Sequence, residues 1–391
     1  MKQLVVVLLM VAGMTFFSCQ SEKEKPESPA IVLDMESLLS NQQEMKLSDI
    51  AESVRYIPLE TNADVICNPA QYIIRGKRIF VRNRNETVYL FDDEGHFIRQ
   101  IGQKGQGPNE YGGAQFMDVS PDGEQLYFYL TRQNKGYVYS PEGQKLSEFE
   151  IKYPTWRFAA LSPDRHVMIS PYGAFSPDSL PFLFYIEDGK GQVVKKFPSK
   201  KVIMLGAGDF SIGKFMVTPK SIIGYHPFND TVFSFDQKGS KSPKYVFDYG
   251  NKRLPDEELD DMMKLYENRQ QYIHSTSLYE TSDKLFIRAF HQKKTLIGFW
   301  SQEDNSIVAI SSDDGKLLND LDGGPDFWPA ASDGEKTVYR LVQALDLVES
   351  WNKGDFEEKE FELADERKEF VRMIQELEEG DNPVIMVVEL K

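Results

Sequence analysis

The sequence predicts an all-β chain folded as a six-bladed β-propeller, with an N-terminal strand closing the last blade and two helical insertions. First, short runs rich in Tyr, Phe, Val and Ile are joined by turn signals of the Ser-Pro-Asp-Gly kind, at residues 75–76, 122–123, 164–165, 219–220, 282–283 and 333–334. Second, another series of turns falls at Glu94-Gly95, Glu142-Gly143, Asp188-Gly189, Lys238-Gly239 and Asp304-Asn305, spaced by about 46 to 50 residues until the last interval. Four short strands per period of this length make one propeller blade. Third, the last repeat lacks a strand while residues 53–59 (SVRYIPL) supply a spare one ahead of the first repeat. Pairing the two termini removes both open sheet edges.

Taken in order, the chain begins with Met1-Lys2 and an apolar run from Leu4 to Met14, too short to span a bilayer, so residues 1–18 read as a signal peptide. Thr15-Phe16-Phe17-Ser18-Cys19 resembles a bacterial lipoprotein signal, which implies lipidation of Cys19 and export to an outer membrane, with the cell surface as one destination. Residues 19–45 read as tether and lead-in, because Gln20 to Pro29 is charged, carries two prolines and has no apolar residue to pack. The propeller occupies residues 46–391. Its second repeat displays all four strands, at 115–119, 125–131, 137–140 and 145–151. The long interval before Asn305 is explained by residues 255–273, where Pro255 and a run of acids precede Leu259, Met262, Met263 and Tyr266 at helical spacing. A second helical insertion, near 344–380, carries Phe361, Phe370, Ile374 and Leu377 before the final strand.

Phe91-Asp92-Asp93-Glu94-Gly95, Ile101-Gly102 through Gly107-Pro108 and Ser120-Pro121-Asp122-Gly123 resemble an NHL-type propeller repeat. Tyr56-Ile57-Pro58-Leu59, Gly323-Gly324-Pro325-Asp326 and Asn382-Pro383 are similar to segments of the six-bladed propeller lipoproteins of Bacteroidetes. The resemblance covers residues 31–391. It implies the fold and an envelope location, and says little about activity, because propellers host binding and catalysis alike.

Composition excludes several functions. With 45 basic and 61 acidic residues the formal charge is −16, and no basic stripe exists to neutralise a nucleic acid. Two cysteines, Cys19 and Cys67, are too few for a disulfide framework or a structural zinc site. No catalytic or metal-binding signature is present. Gly102, Gly105 and Gly107 connect two strands with no helix to receive a phosphate, and the acids at 256–261 read as the start of a helix. No cofactor is assigned. Calcium stays open, although the few oxygen donors among the mouth residues make a poor calcium site.

In a propeller the entries to the inner strands and the connections between second and third strands share one face and surround the channel mouth. The entries place Asn68, Gln71, Gln115, Trp156, Arg157, Lys214, His274, Asp326 and Trp328 there, and the connections add His226 with Arg132 and neighbouring amides. Amides, cations and two indoles suit a glycan or an acidic peptide. Trp156 and Trp328 either stack on a ligand or wedge between blades. The histidines read first as structural. The function predicted is a monomeric, lipid-anchored binding or scaffolding module for a glycan, glycopeptide or protein partner. The alternatives are a metal-dependent hydrolase or lactonase of the six-bladed type, and a structural subunit of an outer-membrane complex.

Overall fold

The computed structural model describes residues 29–153, 155, 157–169, 182–198, 214–218, 221–225, 229–258 and 262–391. Six antiparallel sheets are arranged as a β-propeller, each with four strands running from the channel outward. Inner strands are Pro69–Arg75, Phe116–Val119, Arg157–Ser162, Lys214–Val217, His274–Glu280 and Ala331–Ser332, from blade 1 to blade 6. Five of the hairpins between first and second strands fall at the turns read from the sequence, the blade 4 turn at 219–220 lies outside the described residues, and blade 2 follows its predicted strands to within two residues at each end.

The blades are held by their faces. Strand Leu126–Leu130 of blade 2 (LYFYL) is buried at every position, because one face packs on blade 1 and the other on blade 3. A strand sandwiched in this way reads as a continuous apolar run instead of an alternating one. Separate apolar clusters fill the seams between blades 1 and 2, 2 and 3, 3 and 4, 4 and 5, 5 and 6, and 6 and 1, so the core is itself a ring.

Closure comes from the N-terminus. Strand Ala51–Pro58 pairs antiparallel with Val384–Leu390 and becomes the outer strand of blade 6. Gly95, in the outer turn of blade 1, has φ +89, and a Cβ there would collide with the carbonyl oxygen of Pro58 on the closing strand. Glycine satisfies both the left-handed turn and the close approach.

The lead-in is not slack along its whole length. Residues Ile31–Asp34 add a fifth strand, in parallel, to the outer strand Lys241–Asp248 of blade 4. A short 3-10 turn, Met35–Leu39, follows with Met35 and Leu38 fully buried, and Gln43 bridges to Ile310 of blade 5. The chain thus straps blades 4 and 5 before entering blade 6. Buried apolar positions Leu33, Met35 and Leu38 carry this packing, within a stretch whose charged flank suggests only a tether.

The insertions are helical as expected. Helix α1 (Met262–Asn268) lies between blades 4 and 5. Helices α2 (Ala344–Lys353) and α3 (Ala364–Glu376) lie in the second-to-third connection of blade 6, on the mouth side. Helix α3 buries Phe370 and Ile374 in the seam between blades 5 and 6.

Candidate functional site

The channel encloses a cavity of about 340 Å³ lined by residues from the inner strands of all six blades. Gln71, Arg157 and Lys214, three of the residues placed at the mouth by sequence, line it together. Arg157 and Lys214 are the first residues of their inner strands. Gln71 donates through Nε2 to the Met117 carbonyl at 2.8 Å, which fixes its amide against blade 2. Lys214 Nζ lies 3.3 Å from Ser277 Oγ of blade 5. Arg157 holds its guanidinium 5.4 Å above the Phe116 ring, a cation–π contact that joins blades 3 and 2.

The second strands contribute more charge than the sequence suggested. Arg82 stands opposite Gln71 in the blade 1 ladder, and its Nε approaches Gln71 Oε1 at 3.4 Å. Arg288 stands opposite Ser277 in blade 5 and donates to the Gly315 carbonyl at 2.7 Å. Arg340 of blade 6 donates to the backbone oxygen of Asp326. These arginines were legible only through register, since each lies on a second strand near its mouth end. Burial holds all five cations below their usual pKa values. Repulsion adds to it: Arg157 and Arg288 push Lys214 down, Arg157 pushes Arg82, and Arg288 pushes Arg340.

Deeper in the cavity the charge is balanced. Asp118 and Arg75 are both buried and 3.9 Å apart, and Asp118 also accepts from the Ala160 amide at 2.7 Å. Burial outweighs Arg75 and raises the Asp118 carboxyl to about 6.

Other predicted residues lie elsewhere. Asn68 is exposed on the rim, its amide N–H donating to Asn83 Oδ1 at 2.8 Å. Gln115 accepts from Thr131 Oγ1 at 2.7 Å, outside the cavity lining. His274 stacks on Phe290, with Nδ1 3.3 Å from the Tyr272 carbonyl, also outside that lining. Arg132 forms a bidentate pair with Glu86 at 2.7 and 2.8 Å, and Lys104 approaches the same carboxylate. Asp326 pairs with Lys359 at 2.7 Å in a separate cleft of about 390 Å³ beside α2. Cys19, Trp156 and His226 lie outside the described residues.

One placement is corrected. Trp328 is 2% exposed and packs edge-on against Phe286 at 5.5 Å, with the Arg288 guanidinium 6.0 Å from its ring. Its indole fills the seam between blades 5 and 6, so no face remains for a ligand to stack on.

Among the described residues no three His, Cys, Asp or Glu side chains converge as metal donors. A mouth lined by Arg and Lys is opposite in charge to what a calcium ion requires.

Two crystal structures share this fold. One, of a Bacteroides fragilis protein provisionally described as exported, is 17% identical and spans 93% of this chain and 100% of that one, with a TM-score of 0.74. The other, of a DUF4221 family member from Bacteroides vulgatus, is 11% identical over 87% of this chain and 97% of that one, with a TM-score of 0.51. At these identities the likeness is one of fold alone. No curated protein matches the chain. The model of the family described as Domain of unknown function (DUF4934) matches residues 30–389, and by that match over the whole ring the chain belongs to this family.

Proposed function

We propose that the chain is an exported binding module, held at the cell envelope by a lipid on Cys19, that takes a glycan, glycopeptide or protein partner at its channel mouth. The observation that carries the binding role is the meeting of Gln71, Arg157 and Lys214, from three different blades, in one cavity. Side chains distant in sequence and gathered by a rigid ring into one concavity make the usual form of a ligand site. Export is supported by the apolar run at residues 4–14 followed by Ser18-Cys19, and by the description of the Bacteroides fragilis neighbour.

The test is an array of glycans and peptides probed with the folded ring. A ligand should be retained by the wild type and lost on Lys214→Ala at unchanged melting temperature. A ligand indifferent to Gln71→Ala, Arg157→Ala and Lys214→Ala would overturn the assignment of the mouth.

A further inference from the structure

Three cations from three blades line the mouth cavity together: Arg82 of blade 1, Arg157 of blade 3 and Lys214 of blade 4. Blade 2 contributes instead the Phe116 ring, which lies against the Arg157 guanidinium. This arrangement follows from topology. Inner strands begin at the mouth and second strands end there, so a cation at the start of one or near the end of the other reaches the same layer. Arg157 adds to the lowering of both Arg82 and Lys214, as the shared cavity of the three side chains requires.

Concentrating positive charge here runs against the rest of the molecule, whose formal charge is −16. A cationic well in an anionic body focuses the field and draws oxyanions to one point. The acid in the cavity lining is Asp118, which pairs with Arg75, so with Arg82, Arg157 and Lys214 the lining carries more positive than negative charge.

We propose that the mouth binds an acidic saccharide of one or two rings that presents at least two oxyanion groups to Arg82, Arg157 and Lys214. The inference rests on the binding role proposed above and names its ligand class. Arginine forks and a lysine ammonium recognise carboxylate or sulfate oxygens. The Gln71 amide and Ser277 hydroxyl line the same cavity and match sugar hydroxyls, while Phe116, Tyr279 and Tyr339 supply apolar wall. About 340 Å³ is at the small end of ligand sites, enough for one or two sugar rings and too little for an extended peptide.

Calorimetric titration of the whole folded chain with digalacturonate tests this, with neutral galactobiose and the tripeptide Glu-Glu-Glu as comparators. Digalacturonate should bind, weaken steeply as salt is raised, and lose roughly thirtyfold or more in affinity on Lys214→Met or Arg157→Ala. Arg157→Lys, which keeps the charge, should retain most of the binding, and Lys353→Ala on the exposed face of α2 should change nothing. Thermal melts of each variant separate lost binding from lost folding. Equal binding of galactobiose, or preference for the tripeptide, would overturn the acidic-saccharide class while leaving a binding mouth in place. Digalacturonate binding that ignores both Lys214→Met and Arg157→Ala would overturn the class and the mouth together.

Discussion

Tyr56, near the start of the chain, and Met386, five residues from its end, face each other across the antiparallel ladder that closes the ring. The Tyr56 hydroxyl reaches Asp322 Oδ1 at 3.2 Å, and its ring packs on Phe370 of α3 at 5.1 Å. The closing strand therefore ties the two ends of the propeller to the helical insertion. Deletion through Leu59 should leave blade 6 without its outer strand, expose two edges and give an aggregating product. Light scattering after purification checks this, and a monomeric, cooperatively melting product would refute closure by this strand.

The strap yields a second, finer expectation. Leu38 is fully buried between blades 4 and 5 although it lies outside the ring proper. Leu38→Ala should cost about 2–5 kcal/mol, the usual cost of a large-to-small change at a packed site. Urea denaturation measures it. A loss below about 0.5 kcal/mol, as at exposed positions, would show that the strap lies loosely on the ring.

A buried titratable pair predicts a pH profile. His166 and Glu187 stand opposite each other in blade 3, both fully buried, and the Tyr129 hydroxyl lies 3.3 Å from His166 Nδ1 and 3.4 Å from Glu187 Oε2. Burial lowers His166 to about 4 and raises Glu187 to about 8. The folded pair thus holds one proton between those values. The unfolded pair, with ordinary pKa values near 6.5 and 4.5, also holds one between pH 4.5 and 6.5, so stability from this pair is flat there. Above pH 6.5 the unfolded chain holds fewer protons than the folded one, and stability should fall by roughly 2 kcal/mol towards pH 8. Glu187→Gln should abolish that alkaline loss and leave only the acid-side loss as His166 is forced to protonate. Chemical denaturation at a series of pH values would show both, and an unchanged alkaline slope in the variant would contradict the assignment.

Trp328 should behave as a core residue. Trp328→Ala should destabilise by about 3–5 kcal/mol, whereas Trp328→Phe should cost less and leave any mouth ligand bound as before. Selective loss of binding at full stability in the Phe variant would restore the indole as a contact residue.

The anchor is tested at the N-terminus. The wild type expressed with its signal should partition with membranes, and Cys19→Ala should not. Acyl mass on the N-terminal peptide should accompany the difference. Recovery of the unmodified wild type in the soluble fraction would refute lipidation.

The sequence by itself determined the blades, their turns, the closing strand and the positions of both insertions. Each rests on local signals: turn residues such as Asp122-Gly123, period-two runs, and the spare strand at 53–59. It also placed Gln71, Arg157 and Lys214 at the mouth, because inner-strand entries in a ring are fixed by order along the chain. Tertiary structure alone decided which neighbours those residues meet. Arg82 joins them through register across a ladder, whereas Arg340 lines a separate cleft and Trp328 turns away into a seam that a linear sequence does not display. The strap at residues 31–39 was likewise decided by packing, since four residues of strand carry no signal of their own until blade 4 offers an edge. Local geometry follows from the spacing of residue types, whereas charge convergence and seam burial depend on pairs distant in the chain.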